Sequence, residues 1–138
     1  TIQAAILDVK LTALINHELK DVNTVYKKYN NLLKNIVAIP VIPNNYLSSF
    51  AQYTIRLKSQ EQRDGLKHHL QEKGIPSMIY YTKTMHNQTA FKDLKNDDSG
   101  YPVSTRLCKT VLSLPMHPYL KDEDINFIAK SVIEYINK

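Results

Sequence analysis

The chain reads as a mixed α/β (α+β) domain: a small three-stranded sheet covered by helices, with a long N-terminal helix and a closing C-terminal helix. Two observations and one packing rule predict it. Apolar residues recur at helical spacing through Thr1–Leu33 and again through Asp122–Asn137. Short stretches of β-type composition, Phe50–Leu57, Ile75–Tyr81 and Val111–Leu114, are separated by helix-like segments. A small sheet needs such helices to cover its apolar side.

At 138 residues the chain is one domain by length. Its 43% hydrophobic and 22% charged content is that of a globular protein. No apolar run approaches the roughly 18 residues that a membrane span needs, so the expectation is no membrane association. The single Cys108 excludes an internal disulfide and suits a reducing compartment, giving a cytoplasmic expectation. The net charge of +5 comes from 15 Lys and 3 Arg. Lys27-Lys28 is the one adjacent basic pair, so the concentrated basic face of a nucleic-acid binder is missing and no nucleic-acid partner is expected. A mildly basic domain suits a phosphorylated substrate or an acidic neighbouring domain.

The first helical face is built from Ile2, Ala5, Ile6, Val9, Leu11, Ala13 and Leu14, and Val22, Val25, Tyr26, Tyr29, Leu32 and Leu33 continue it. Asn16 and His17 mark an expected break or kink between two helices. No cap is evident at the start, since Thr1 leads at once into an apolar run, and this suggests a cut inside a longer protein. Ile36–Ile42 is β-branched, but Pro40 and Pro43 reduce it to an extended connection with a short edge strand. In FAQYTIRL, Tyr53, Ile55 and Leu57 alternate with Gln52, Thr54 and Arg56, the pattern of a half-buried strand. Ser59 caps a predicted helix over Gln60–Lys73, with Leu66 and Leu70 toward the core and Gly74 as its stop. Thr89–Leu94 is a predicted short helix and Asn96–Gly100 a turn-rich loop. Val103–Lys109 is a helix with Pro102 in its first turn. Ile125, Ile128, Ala129, Val132, Ile133 and Ile136 share one face of the last helix.

Few residues suggest chemistry. Cys108 reads as a buried, inert thiol. Adjacent His68 and His69 point about 100° apart on a helix and make a poor chelate. Gly occurs only at 65, 74 and 100, with no phosphate-binding glycine loop. Arg63-Asp64 reads as solvated helix surface. Arg56 points outward from its strand, either as a surface ion pair or as a contact to a phosphate or carboxylate. The loop Tyr80–Gln88 gathers phenols, an amine, an imidazole and amides into nine residues. It is either a ligand-contacting loop or a solvated connection whose His86 caps the next helix.

Taken in order, Ile2-Gln3-Ala4-Ala5-Ile6-Leu7 with Lys10-Leu11, Tyr29–Leu33, Tyr53–Arg56, Arg63-Asp64, Lys73-Gly74-Ile75, Tyr81, His86 with Gln88, and Val111–Pro118 form a series along the whole chain. It resembles the pyridoxal-phosphate (PLP) sugar aminotransferases of the DegT/DnrJ type; the IQAAIL and LSLPMHP segments are the specific ones. The resemblance implies a fold type I aminotransferase in which residues 1–138 form the C-terminal small domain. It implies transfer of an amino group, typically from glutamate, to a nucleotide-linked keto-sugar in surface polysaccharide, glycan or antibiotic sugar biosynthesis. The cofactor PLP is then held by an N-terminal large domain that carries the Schiff-base lysine, and a homodimer is implied. No catalytic, cofactor-binding or metal residue is assigned within this chain, and the fragment alone is expected to be inactive. His86, Tyr81 and Gln88 match the family's Tyr-Pro-x-Pro-Leu-His-x-Gln loop, implying a substrate-binding rim. Thr82, Thr84 and Met85 depart from it, and loss of two prolines loosens the loop. The competing reading is a non-catalytic sugar- or phosphate-binding or sensor module with the same fold.

Overall fold

The computed structural model describes residues 1–94 and 97–138. Helix α1 (Ile2–Ala13) leads into a π-helical turn, Leu14–Glu18, and then α2 (Leu19–Leu33). The expected break at Asn16-His17 is this turn: one widened turn, with helical backbone at both junctions, accommodates the irregularity without stopping the helix. The expectation of an uncapped start is corrected. Thr1 is the N-cap, its hydroxyl oxygen accepting the Ala4 N–H at 3.3 Å. α1 buries none of its residues, whereas α2 buries Val22, Val25, Tyr29 and Leu33. That spacing of three, four and four keeps one face on the core.

The sheet has two named strands, not three. β1 (Tyr53–Arg56) pairs antiparallel with β2 (Val111–Leu114), placing Tyr53 opposite Leu114 and Arg56 opposite Val111. The strand expected over Ile75–Tyr81 shrinks to one bridge, Met78 with Ser113, and the edge strand expected within Ile36–Ile42 to another, Ala38 with Arg56. Prolines explain the shortening. Pro40 and Pro76 have no N–H to give to a ladder. Only Met78 exchanges both backbone bonds with Ser113, at 3.0 and 2.9 Å.

Helix α3 (Gln60–Glu72) starts on Ser59, whose hydroxyl accepts the Gln62 N–H, and ends at Gly74 with φ +71°. That left-handed stop is strained for any residue with a Cβ. Short 3₁₀ segments at Met85–Asn87, Thr89–Leu94 and Asp98–Gly100 precede α4 (Pro102–Thr110), and Lys95 and Asn96 lie outside the described residues. α5 (Asp122–Ile136) closes the chain, with three acidic residues in its first turn where they complement the helix dipole.

One face of the sheet is covered by α2, α3 and α5. Tyr53, Ile55, Leu112, Leu66, Leu70, Ile125 and Val132 meet there with almost no exposure. Tyr29 stacks on Tyr53 at 4.8 Å, and each phenol has a partner: Tyr29 donates to the Pro115 carbonyl at 3.1 Å and Tyr53 to Asn30 Oδ1 at 2.7 Å. Burial raises the pKa of both phenols. Phe50, a non-glycine residue at φ 44°, stacks on Tyr26 at 4.3 Å, and this packing holds its strained backbone.

Arg63 corrects the sequence reading: it is 6% exposed, not solvated. Its Nε donates to Asp64 at 2.5 Å and its Nη1 to the Cys108 carbonyl at 3.2 Å, tying α3 to the end of α4. An i,i+1 charge pair looks like surface from the sequence, but the long guanidinium reaches a carbonyl that only the tertiary fold brings near. Cys108, expected to be buried, is half-buried.

Candidate functional site

The period of two in β1 and β2 decides what the second face of the sheet presents. With Tyr53, Ile55, Leu112 and Leu114 in the core, Gln52, Thr54, Val111 and Ser113 line a groove of about 430 Å³. Thr54 and Ser113 join their hydroxyls at 2.8 Å across the strand pair. Met78, Tyr80, Tyr81, Lys83, Thr84, Met85 and Gln88 form a second wall, and Ser104, Leu107 and Cys108 of α4 the third. Two thioethers and two phenols beside a few hydroxyls and amides make a largely apolar wall with sparse polar groups, the usual make-up of a small-molecule site.

Of the rim residues expected from the sequence, Tyr81 and Gln88 meet on this wall. Tyr81 is exposed, and Gln88 Nε2 donates to the Lys83 carbonyl at 3.3 Å, closing the loop on itself. His86 lies elsewhere. Its side chain is only 7% exposed and turns away from the groove wall toward Asp98, whose Oδ1 lies 2.8 Å from Nε2. Thr84 Oγ1 is 3.1 Å from the same nitrogen, and the ring stacks on Tyr101 at 4.6 Å. Asp98 also accepts from Asn87 Nδ2 at 2.8 Å and Thr105 Oγ1 at 3.0 Å. The bonds from His86, then Asn87, then Thr105 hold its carboxyl below the usual carboxylate range.

A carboxylate can only accept, so His86 Nε2 carries the hydrogen of this bond. The His86–Asp98 contact is therefore a latch that fastens the loop to the start of α4. Sequence reading missed Asp98, Tyr101 and Thr105. Asp97-Asp98-Ser99-Gly100 looked like an ordinary surface turn, and Asp97 does serve that turn by accepting the Ser99 and Gly100 N–H groups. Nothing in the spacing marked Asp98 as the partner of a histidine 12 residues earlier.

Whether these residues fit PLP depends on an amine. A Schiff-base lysine needs a desolvated setting that lowers its pKa. Every described lysine is exposed or half-buried, including Lys83 on the groove wall. Lys10 shifts upward, chiefly through its bond to Glu18. Among the described residues, burial therefore marks out no lysine as a covalent PLP site.

Residues 1–133 match the DegT/DnrJ/EryC1/StrS aminotransferase family, and the chain belongs to it. That family is PLP-dependent. Among its relatives is the UDP-2-acetamido-2-deoxy-3-oxo-D-glucuronate aminotransferase of Pseudomonas aeruginosa, 33% identical over 133 residues that cover 96% of this chain and 35% of the relative. A pleiotropic regulatory protein of Geobacillus stearothermophilus is 32% identical over 96% of this chain and 36% of its own length. Among solved structures, a DegT/DnrJ/EryC1/StrS aminotransferase from Brucella abortus superposes with a TM-score of 0.91 at 42% identity, covering 99% of this chain and 36% of that one. The chain thus spans about a third of the length of the relatives it matches. No described helix is long and apolar enough to cross a membrane.

Proposed function

We propose that residues 1–138 are the C-terminal, substrate-side domain of a cytoplasmic PLP-dependent aminotransferase that passes an amino group from glutamate to a nucleotide-linked keto-sugar, in the assembly of a surface polysaccharide, glycan or antibiotic sugar. The observation that carries this reading is the superposition on a third of a whole aminotransferase at 42% identity. In this reading a large N-terminal domain holds PLP, the working unit is a homodimer, and the groove beside β1 and β2 is the sugar side of the cleft. Tyr81 and Gln88 reach the nucleotide sugar from the groove wall. His86 holds the loop through Asp98 and so positions Tyr81 and Gln88 for the sugar.

The exposed face of α1, with Ile2, Ile6 and Val9 each more than 60% exposed, supports a partner there; the proposed occupant is the large domain or the second subunit.

The test is made on the full-length gene product, with the two half-reactions followed separately. The expected activity is one 2-oxoglutarate per bound PLP from glutamate alone, with continued turnover only when a nucleotide-linked keto-sugar is present. His86→Ala is expected to raise KM for the nucleotide sugar more than it lowers kcat. The loss in kcat/KM is about 2- to 150-fold, the range for one lost hydrogen bond. Loss of both half-reactions by several decades makes His86 catalytic; no change in either returns the loop to a plain connection.

A further inference from the structure

A second groove, of about 560 Å³, opens where β1 ends, and shares no wall residue with the groove of Tyr81 and Gln88. Lys34, Arg56, Lys58 and Arg106 line it, and no Asp or Glu does. All four are exposed, and none enters an ion pair among the described residues. Other cations of the described residues are also unpaired, Lys20 and Lys67 among them, so the groove is distinguished by four cations gathered on one wall with no acidic residue there.

A plain explanation is that these cations offset helix ends. α2, α4 and α5 all finish at this groove, at Leu33, Thr110 and Ile136. Each helix C-terminus carries about half a negative charge. Three ends offset roughly one and a half of the four positive charges, so a surplus of more than two remains. Like charges held on one concave wall repel one another and raise the local concentration of anions. Neutral donors complete the wall. Gln62 Oε1 already accepts the Lys58 N–H at 2.9 Å, so its amide nitrogen is left to donate, and Asn35 lies beside it. Two guanidinium groups supply planar forks that match phosphate oxygens two at a time. The volume suits a small molecule.

We infer that this groove is an anion site for a small phosphate ester carrying two or more negative charges, of the size and charge of a nucleoside diphosphate. Recognition is through the phosphates, because the charged groups dominate the wall and no aromatic side chain lines it to stack a base. The inference goes beyond the aminotransferase reading and does not depend on it.

Titration calorimetry on the 138-residue chain, with pyrophosphate, UDP and uridine as separate probes, tests it. The expected result is saturable binding of pyrophosphate and UDP with similar Kd, and none of uridine. Arg56→Gln and Arg106→Gln each weaken binding about tenfold or more, as loss of a charge-assisted contact does. Lys27→Gln, on an exposed part of α2 outside the groove, leaves it unchanged. The arginines are exposed, so circular dichroism is expected to show an intact fold; Lys58→Gln is a further variant with the same expected loss. Three results overturn the inference: no saturation by pyrophosphate or UDP in the millimolar range, binding that survives all three groove substitutions, or binding of a single-stranded oligonucleotide in clear preference to UDP. Loss of sugar amination in the full-length protein would leave these outcomes untouched, so the two readings fail separately.

Discussion

Glu18 shows how much one residue can depend on contacts that no local pattern reveals. It lies in the π turn, is 3% exposed, and accepts from Lys10 Nζ and from the Tyr119 hydroxyl, 101 residues away in sequence. These two bonds, Lys10 first, hold its carboxyl below the usual carboxylate range despite burial. A depressed folded-state pKa contributes stability that is fully present above the unfolded value of about 4.3 and is lost as pH falls through the folded value. Wild type is therefore expected to lose melting temperature steeply on acidification below about pH 4. Glu18→Gln is expected to start lower at neutral pH and to fall less steeply. Thermal melts between neutral and acid pH check this, and parallel curves for the two proteins would remove Glu18 as the cause.

At the scale of elements, the sequence carries the helices better than the sheet. The helices over Gln60–Glu72 and Asp122–Ile136 follow from their apolar periods, with Ser59 as the cap of the first. The sheet is overcalled because β-type composition describes burial as well as pairing: Ile75 is buried, yet Pro76 beside it leaves Met78 alone to bridge β2. Helix contacts add a constraint that propensity misses. A Cβ built on Gly65 of α3 falls 2.0 Å from the Tyr135 hydroxyl of α5, and Tyr135 in turn packs on His69 at 5.6 Å. Gly65→Ala gains about 1 kcal/mol of helix propensity and meets an overpacking cost of about 1–3 kcal/mol. The expected outcome in urea unfolding is a loss of up to about 2 kcal/mol. Tyr135→Ala in the same chain should return the propensity gain; a Gly65→Ala protein more stable than wild type would show that α5 yields freely.

α1 poses the opposite case, a helix whose apolar face touches little of its own domain. Ile2 is 82% exposed, Ile6 64% and Val9 74%. Exposed apolar surface on this scale marks an interaction face. Sedimentation is expected to show self-association of the 138-residue chain as concentration rises, and Ile6→Asp is expected to reduce it. A clean monomer at millimolar concentration, unchanged by Ile6→Asp, would contradict that role.

For the whole molecule, family and architecture were legible because the motif series runs in order through the chain, and residues 1–133 match the family. The detail of the site was less so. Tyr81 and Gln88 share the groove, but His86 turns inward to Asp98, because hydrogen bonds to Asp98 and Thr84 and stacking on Tyr101 outweigh an exposed position on a loop short of prolines. Arg63 was misread for a similar reason, since its partner carbonyl at Cys108 lies 45 residues away. Long-range polar pairs leave no periodic trace in a sequence, whereas core faces do.

In the proposed aminotransferase, residues 1–138 supply the substrate side and the cofactor amine lies outside them. Borohydride reduction in the presence of PLP, followed by peptide mapping, tests this placement most directly. No stoichiometric pyridoxyl-lysine is expected on the 138-residue chain, and one is expected in the full-length gene product at a lysine outside residues 1–138. A single stoichiometric pyridoxyl-lysine within residues 1–138, accompanied by turnover of a keto-sugar, would contradict it.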